Sequence, residues 1–257
     1  MELFDSHAHY NDEKFEEDRE EILKEIYKSG VTKLVNAGYS LESSKSAIQI
    51  ANSHDFIYST VGISPNDIED YKKEDLKEIE NLAKSPKVVA IGEIGLDYYW
   101  NKENKNLQKE VFISQIEIAN KLNLSIVIHT REAVYDTLEI LKNNSCNKKG
   151  IFHCCPFNVD LVREGLKLGF YISFAGPTTF KNSKNAPEII KMVPLDKMLI
   201  ETDSPYLSPE PFRGKRNDSR NVKYIAQKIA EVKQIPLEEV AKATYNNAEK
   251  IFGNKAI

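Results

Sequence analysis

Short runs dense in Val, Ile and Leu alternate along the chain with longer stretches in which apolar residues recur at helical spacing. The apolar runs are Leu3–Ala8, Lys33–Ala37, Ile57–Ile63, Val88–Ile94, Ser125–His129, Gly150–Cys154, Phe170–Phe174 and Met198–Thr202. Most show little apolar/polar alternation, the pattern of parallel strands covered on both faces. Between them, Phe15–Lys28 places Ile22, Leu23, Ile26 and Tyr27 on one helical face, and Asn104–Leu122 does the same with Val111, Phe112, Gln115, Ile116 and Ala119. Further helices are predicted over Leu41–Asn52, Lys73–Lys84, Arg131–Asn143, Val159–Leu168, Ala186–Met192, Asn221–Val232 and from Pro236 to the end. Gly30 and Gly169 stand where helix C-caps belong.

Eight strand-then-helix units predict a TIM (β/α)8 barrel with an extra C-terminal helix, as a single domain over residues 1–257. A doubly wound open sheet is the competing arrangement, but no Gly-rich dinucleotide loop follows the first strand. With 41% hydrophobic and 29% charged residues, the composition allows one large core in a soluble protein. The net charge of −4 gives no global attraction to nucleic acid, so any phosphate contact must come from a local basic patch or from metal ions. Three cysteines (Cys146, Cys154 and Cys155) form no C-x-x-C pair, and the odd number leaves a free thiol, which favours a reducing compartment. With no signal-peptide pattern and no apolar run near the roughly 20 residues that span a bilayer, the expectation is a cytoplasmic protein.

The polar residues at the ends of the apolar runs change the picture most. In barrels of this kind the site forms at the C-terminal ends of the strands. His7 and His9 end the first strand, Glu93 lies near the end of the fourth, His129 ends the fifth, His153 ends the sixth, and Asp203 follows the eighth. Residues two apart on a strand share a face, so His7 and His9 aim into one space. Four of the five histidines fall at strand ends; His54, in the turn Asn52-Ser53-His54-Asp55, is the exception and reads as a surface residue. Four imidazoles and at least two carboxylates exceed what one tetrahedral ion takes. They suit two divalent ions about 3.5–4 Å apart that share a carboxylate and activate a water. Glu93, midway in strand order between the histidine groups, reads as the bridge; Asp203 has the reach to bind one ion and accept the water's proton. The competing readings are a buried ion pair for Glu93 and a helix N-cap or turn for Asp203.

These segments resemble the TatD family of metal-dependent deoxyribonucleases, within the amidohydrolase superfamily. The resemblance is carried over almost the whole chain by Asp5-Ser6-His7-Ala8-His9, Gly92-Glu93-Ile94-Gly95-Leu96-Asp97-Tyr98, His129-Thr130-Arg131, His153-Cys154, Glu201-Thr202-Asp203-Ser204-Pro205-Tyr206-Leu207, Arg213-Gly214-Lys215-Arg216-Asn217 and Asn246-Asn247-Ala248-Glu249-Lys250-Ile251-Phe252-Gly253. It implies two divalent metals, one held by His7, His9, Glu93 and Asp203, the other by Glu93, His129 and His153. It also implies hydrolysis of DNA phosphodiesters, often from the 3′ end. The chain departs from the family pattern at Ser64-Pro65-Asn66, where relatives usually read His-Pro-His. It departs again at His153-Cys154-Cys155-Pro156-Phe157, in place of His-Cys-Phe-Ser-Gly, and at Asn217-Asp218-Ser219, in place of Asn-Glu-Pro.

For substrate contacts, the loop Arg213-Gly214-Lys215-Arg216 follows the eighth strand, a region that often holds phosphate in barrel enzymes, and competes with a plain solvated charge run. Arg131 could fork onto a phosphate or pair with Glu132 or Asp136. Tyr98, Tyr99 and Trp100 could stack a base, with packing inside the loop the stronger expectation. Cys154 and Cys155 read as buried small residues rather than ligands. The leading expectation is a monomeric DNA hydrolase using two divalent cations, each Mg, Mn or Zn, acting on single strands or 3′ ends. The alternatives are hydrolysis of a small ester, amide or lactone, and a catalytically weak nucleic-acid-binding module.

Overall fold

The computed structural model describes residues 1–253. The eight strands are β1 (Leu3–Ala8), β2 (Val31–Ala37), β3 (Ile57–Val61), β4 (Val88–Asp97), β5 (Ser125–Arg131), β6 (Ile151–Phe152), β7 (Tyr171–Phe174) and β8 (Met198–Ile200). They pair in sequence order, every neighbour parallel. The nine helices described are α1 (Arg19–Lys28), α2 (Leu41–Ser53), α3 (Asp75–Leu82), α4 (Lys105–Leu122), α5 (Val134–Asn143), α6 (Val159–Lys167), α7 (Ala186–Met192), α8 (Val222–Lys233) and α9 (Leu237–Phe252). This is the expected barrel, with its strands curling until the last meets the first.

Closure is made just beyond β8. The Asp203 N–H donates to the His7 carbonyl at 2.9 Å, and the His9 N–H donates to the Ser204 carbonyl at 2.7 Å. Beneath these, the fully buried Asp5 carboxylate accepts from the Thr202 N–H at 3.0 Å and its hydroxyl at 2.5 Å. The seam therefore runs through three of the expected ligands, His7, His9 and Asp203, and fixes His7 to Asp203 directly.

The apolar residues fall into two clusters. One lies between the sheet and its surrounding helices; it includes Leu34, Ile91, Ile128, Phe152 and Phe174 from strands and Leu23, Ile26, Phe112 and Ile229 from helices. The other gathers Phe4, Val35, Val89, Val127, Ile151, Tyr171 and Leu199 from seven strands against Ala248, Ile251 and Phe252 of α9. These residues come from the early parts of the strands, so α9 stops the N-terminal end of the barrel and leaves the C-terminal end for the site. Gly30 and Gly169 follow α1 and α6 with φ of +100° and +92°, the left-handed geometry that a C-cap glycine supplies cheaply.

The edges of some elements differ from expectation. α1 begins at Arg19, because Glu13–Phe15 forms a separate 3-10 turn capped by Asp12. β4 runs on to Asp97, and β6 shortens to two residues. His54, expected at the surface, is half-buried there: its side chain is 14% exposed, sits at the end of α2 against the Ile50 carbonyl and faces the exposed Glu20 at 3.3 Å. Among the described residues no helix is long and apolar enough to cross a membrane.

Candidate metal centre

Local irregularities in two strands deliver the ligands. Between Asp5 and Ala8, three steps along β1 match two along β2; between Ile91 and Ile94, three steps along β4 match two along β5. Such a bulge re-aims a side chain that regular pleating would send elsewhere. His7 lies inside the first bulge and Glu93 inside the second. The Glu93 N–H, freed from the regular ladder, donates to the Gly38 carbonyl at 2.8 Å.

The six expected residues converge. One Glu93 oxygen, Oε2, lies 3.4 Å from His7 Nε2 and 3.8 Å from His9 Nε2. The other, Oε1, lies 3.0 Å from His129 Nδ1 and 3.5 Å from His153 Nε2. Asp203 Oδ1 stands 3.2 Å from His9 Nε2 and 3.6 Å from His7 Nε2. The two nitrogens of the first pair are 3.1 Å apart and those of the second 3.2 Å. The glutamate thus stands between two pairs of imidazoles, one oxygen toward each, and Asp203 joins the first pair. As for the turn reading of Asp203, its backbone carbonyl does accept from the Tyr206 N–H, but its carboxylate faces the histidines.

Which ring nitrogen faces inward is set from outside the cluster. His9 Nδ1 faces the Ala37 carbonyl at 3.1 Å, a group that can only accept, so Nδ1 carries the proton and Nε2 the lone pair. His129 Nε2 faces Asp97 Oδ2 at 2.9 Å, which leaves Nδ1 as its inward lone pair. His153 Nδ1 faces Glu201 Oε1 at 3.3 Å, which leaves Nε2 inward. Three lone pairs are therefore aimed into a space also bordered by carboxylates, the arrangement that outer hydrogen bonds give to metal-ligating imidazoles. His7 differs: its buried Nδ1 has no hydrogen-bond partner, and its ring stacks on His153 at 4.2 Å.

The electrostatics agree. Burial would raise the Glu93 carboxyl, but the charge of His153 and hydrogen bonds from the imidazoles outweigh it and hold the group well below the carboxylate range. Burial is likewise overcome at Asp203, held at about 2 by His9. Burial would lower His153, yet Glu93 and Glu201 hold it well above its ordinary value. Ionised carboxylates inside a dry cluster call for positive charge, which bound cations supply better than imidazolium protons that occupy the same lone pairs. Oxygen and nitrogen donors in three overlapping groups, His7–His9–Glu93, Glu93–His129–His153 and His7–His153–Asp203, each lie within 4.8 Å of one another. The donor set fits divalent metal.

The cluster forms the floor of a cavity of about 820 Å³. Its walls include Tyr39, Ser64, Asn66 and Asp67 on one side, Trp100 and Arg131 on another, and Cys154 and Phe157 on a third. Ser64 and Asn66 thus stand at the site. Ser64 is buried and accepts from the Asn66 N–H at 3.3 Å, capping the short turn that follows. Cys155 is buried as expected, but Cys154 is only partly covered and borders the cavity. Of the four expected phosphate contacts, only Arg131 lines it. Arg216 forks onto Asp18 and reaches the Lys14 carbonyl, while Arg213 lies over Phe180 at 4.1 Å. Lys215 lies 6.0 Å from the Phe212 ring centre, again away from the cavity wall. For the two arginines the cause is simple: Asp18 and Phe180, both from distant segments, engage them. What the loop gives the site is the buried Asn217, whose amide donates to the Thr202 carbonyl at 2.9 Å and the Tyr206 carbonyl at 2.8 Å. Asp97 and Glu201, the partners of His129 and His153, were not singled out from sequence; both stand in the segments that carry the resemblance, four residues after Glu93 and two before Asp203.

A sequence model of TatD-related DNases matches residues 4–253. The Bacillus subtilis protein named "uncharacterized metal-dependent hydrolase YabD" is 45% identical over 251 residues, covering 97% of this chain and 98% of its own length. The Escherichia coli protein of similar name, YcfH, is 36% identical over 257 residues, covering 98% and 96%. Among solved structures, the E. coli TatD homolog YJJV matches with a TM-score of 0.93 at 24% identity, covering 98% of both chains. A structure from the engineering of organophosphate hydrolysis on a weak promiscuous lactonase template shares the fold more distantly, with a TM-score of 0.68 at 13% identity over 98% of this chain and 95% of that one. The chain belongs to the family of TatD-related DNases and is a metal-dependent hydrolase.

Proposed function

We propose that this protein hydrolyses DNA phosphodiesters from the 3′ end, with two divalent cations held at the cluster. The observation that carries this reading is the placement of Glu93, one oxygen toward His7 and His9 and the other toward His129 and His153. His7, His9, Glu93 and Asp203 would hold one cation, and Glu93, His129 and His153 the other. When bound, such cations supply Lewis acidity toward a phosphoryl oxygen and lower the pKa of a water. The protein does the rest. Asp203, ionised and at the cavity floor, would accept the proton of the attacking water. Asp97 and Glu201 hold the outer ring protons of His129 and His153, so that the inward nitrogens are the ones that would offer lone pairs to a cation. The family match supports DNA as the substrate.

The test uses metal-stripped protein, single-stranded oligonucleotides labelled at either end, and titration with Mg²⁺, Mn²⁺ and Zn²⁺. Stepwise shortening from the 3′ end is expected, with a loss of at least about 100-fold in Asp203→Ala. Undiminished cleavage by the variant would sink the reading. No cleavage with metal demonstrably bound would point instead to a small ester, amide or lactone, which oligonucleotides should then fail to inhibit.

A further inference from the structure

The chain's single tryptophan is exposed beside the metal cluster. Trp100 is 65% exposed and Tyr99 42% exposed, and the two rings meet edge-on with centres 4.7 Å apart. An isolated indole on a surface leaves a large apolar face in water, and this one borders the cavity. Arg131 joins it: the guanidinium lies 3.8 Å above the Tyr99 ring and 5.5 Å from the Trp100 ring centre. The expected carboxylate partner Asp136 is taken by Lys109 at 2.7 Å and by the Tyr98 hydroxyl at 2.5 Å. Among the described residues Arg131 is in no ion pair, so its charge is available at the wall of the cavity.

This ledge is braced to the site. One oxygen of Asp97 accepts from the Tyr99 and Trp100 N–H groups, both at 2.9 Å, while the other faces His129 Nε2 at 2.9 Å. Gln108 ties the loop again, accepting from the Asp97 N–H and donating to the Asn101 carbonyl, and Asn101 reaches across to the Pro65 carbonyl at 2.9 Å. A surface held this way loses little further freedom on binding a flat partner.

We propose that Trp100, Tyr99 and Arg131 form a subsite in which an unpaired nucleobase stacks on Trp100 and Arg131 grips the neighbouring phosphate, so that the substrate enters as a single strand. The inference rests on the DNA reading above and adds to it the side chains that would hold the strand. A base within a duplex offers neither face, because both are covered by its neighbours, whereas an unstacked base meets an exposed aromatic ring without sequence preference. With a net charge of −4 the molecule as a whole repels a polyanion, so a local cation must hold the backbone.

The experiment follows a fluorescein-labelled oligothymidylate of about ten nucleotides by anisotropy, with magnesium present, in the Asp203→Asn background so that the strand survives. Emission from the single tryptophan is read with unlabelled strand. Expected are a saturable change in indole emission at the same midpoint as the anisotropy, and none with an abasic strand of equal length. Trp100→Leu should weaken binding by about tenfold, Trp100→Phe should recover most of it, and Arg131→Ala should weaken it and lower the salt slope by about one. If the oligonucleotide binds but Trp100→Leu stays within about twofold of its parent, or blunt duplex binds as tightly as single strand, the subsite is overturned and the DNA reading stands. If no oligonucleotide binds with or without magnesium, the DNA reading fails and the subsite with it.

Discussion

At the scale of single residues, the chemistry depends on which nitrogen of each imidazole is free, and that is decided one bond away from the cluster. Glu201 and Asp97 touch His153 and His129 and neither other histidine of the set. Removing their negative charge leaves the rings in place but weakens their hold on the proton that must stay outside. Glu201→Gln and Asp97→Asn are each expected to lower affinity for one cation by about 10- to 100-fold, measured by competition with a metal-binding dye. The first equivalent in such a titration should be affected differently from the second, since each variant acts on the Glu93–His129–His153 group. A second prediction concerns a residue far from the site. Burial pushes the Cys146 thiol up to about 11, so at pH 8 almost none of it is thiolate. Alkylation by iodoacetamide should be slow in the folded protein and accelerate when it is unfolded; fast native labelling would show that α5 and its following loop open readily.

At the scale of elements, the strands are bulged where function needs them to be. Gly95 lies past the β4 bulge with φ of +140°, and a Cβ there would stand 2.0 Å from the His129 backbone oxygen. The β4 and β5 backbones come this close because Gly95 pairs with His129 itself. Gly95→Ala combines a disfavoured backbone angle with a clash against main chain that cannot swing away. It should cost about 3 kcal/mol or more and lower Tm by roughly 6–12 °C, read by thermal unfolding. Because the clash falls on a ligand's own backbone, metal affinity should drop along with stability. A surface glycine such as Gly214, whose added Cβ would meet nothing within 4 Å, is the natural control for the clash, although its φ of +87° carries a strain of its own.

At the scale of the whole molecule, the ligands come from five strands spread over nearly two hundred residues, and the seam between the first and last strands passes between His7 and Asp203. Metal binding should therefore stabilise the entire barrel rather than one loop. Divalent cation at about 100 times its Kd is worth about 2.7 kcal/mol, a rise in Tm of roughly 5–10 °C that a chelator reverses. Glu93→Gln should abolish most of that rise, since both groups lose their shared carboxylate. A variant that keeps the full rise would show that Glu93 does not bridge. The other end of the barrel is stopped by Ala248, Ile251 and Phe252 of α9.

Much of this was legible in the chain itself. The alternation of apolar runs with amphipathic stretches determines a parallel α/β fold, because parallel strands buried on both faces need continuous Val, Ile and Leu and their crossovers need helices; the count of eight such units favours the barrel over an open sheet. That the six candidate ligands would meet at one end of the strands was legible for the same reason. A polar residue that ends an apolar strand has one place to go, and four histidines, Glu93 and Asp203 all end or follow such strands. Tertiary structure alone decided what depends on partners far away in sequence. It sent Arg216 to Asp18 and laid Arg131 over the Tyr99 ring at the wall. It half-buried His54 at the end of α2 and let Ala37, Asp97 and Glu201 choose the inward nitrogens. A local pattern reports the period of the backbone and the face a residue prefers; the proton on a ring or the partner of a cation is an electrostatic choice among groups that only the closed barrel brings within 4 Å of one another.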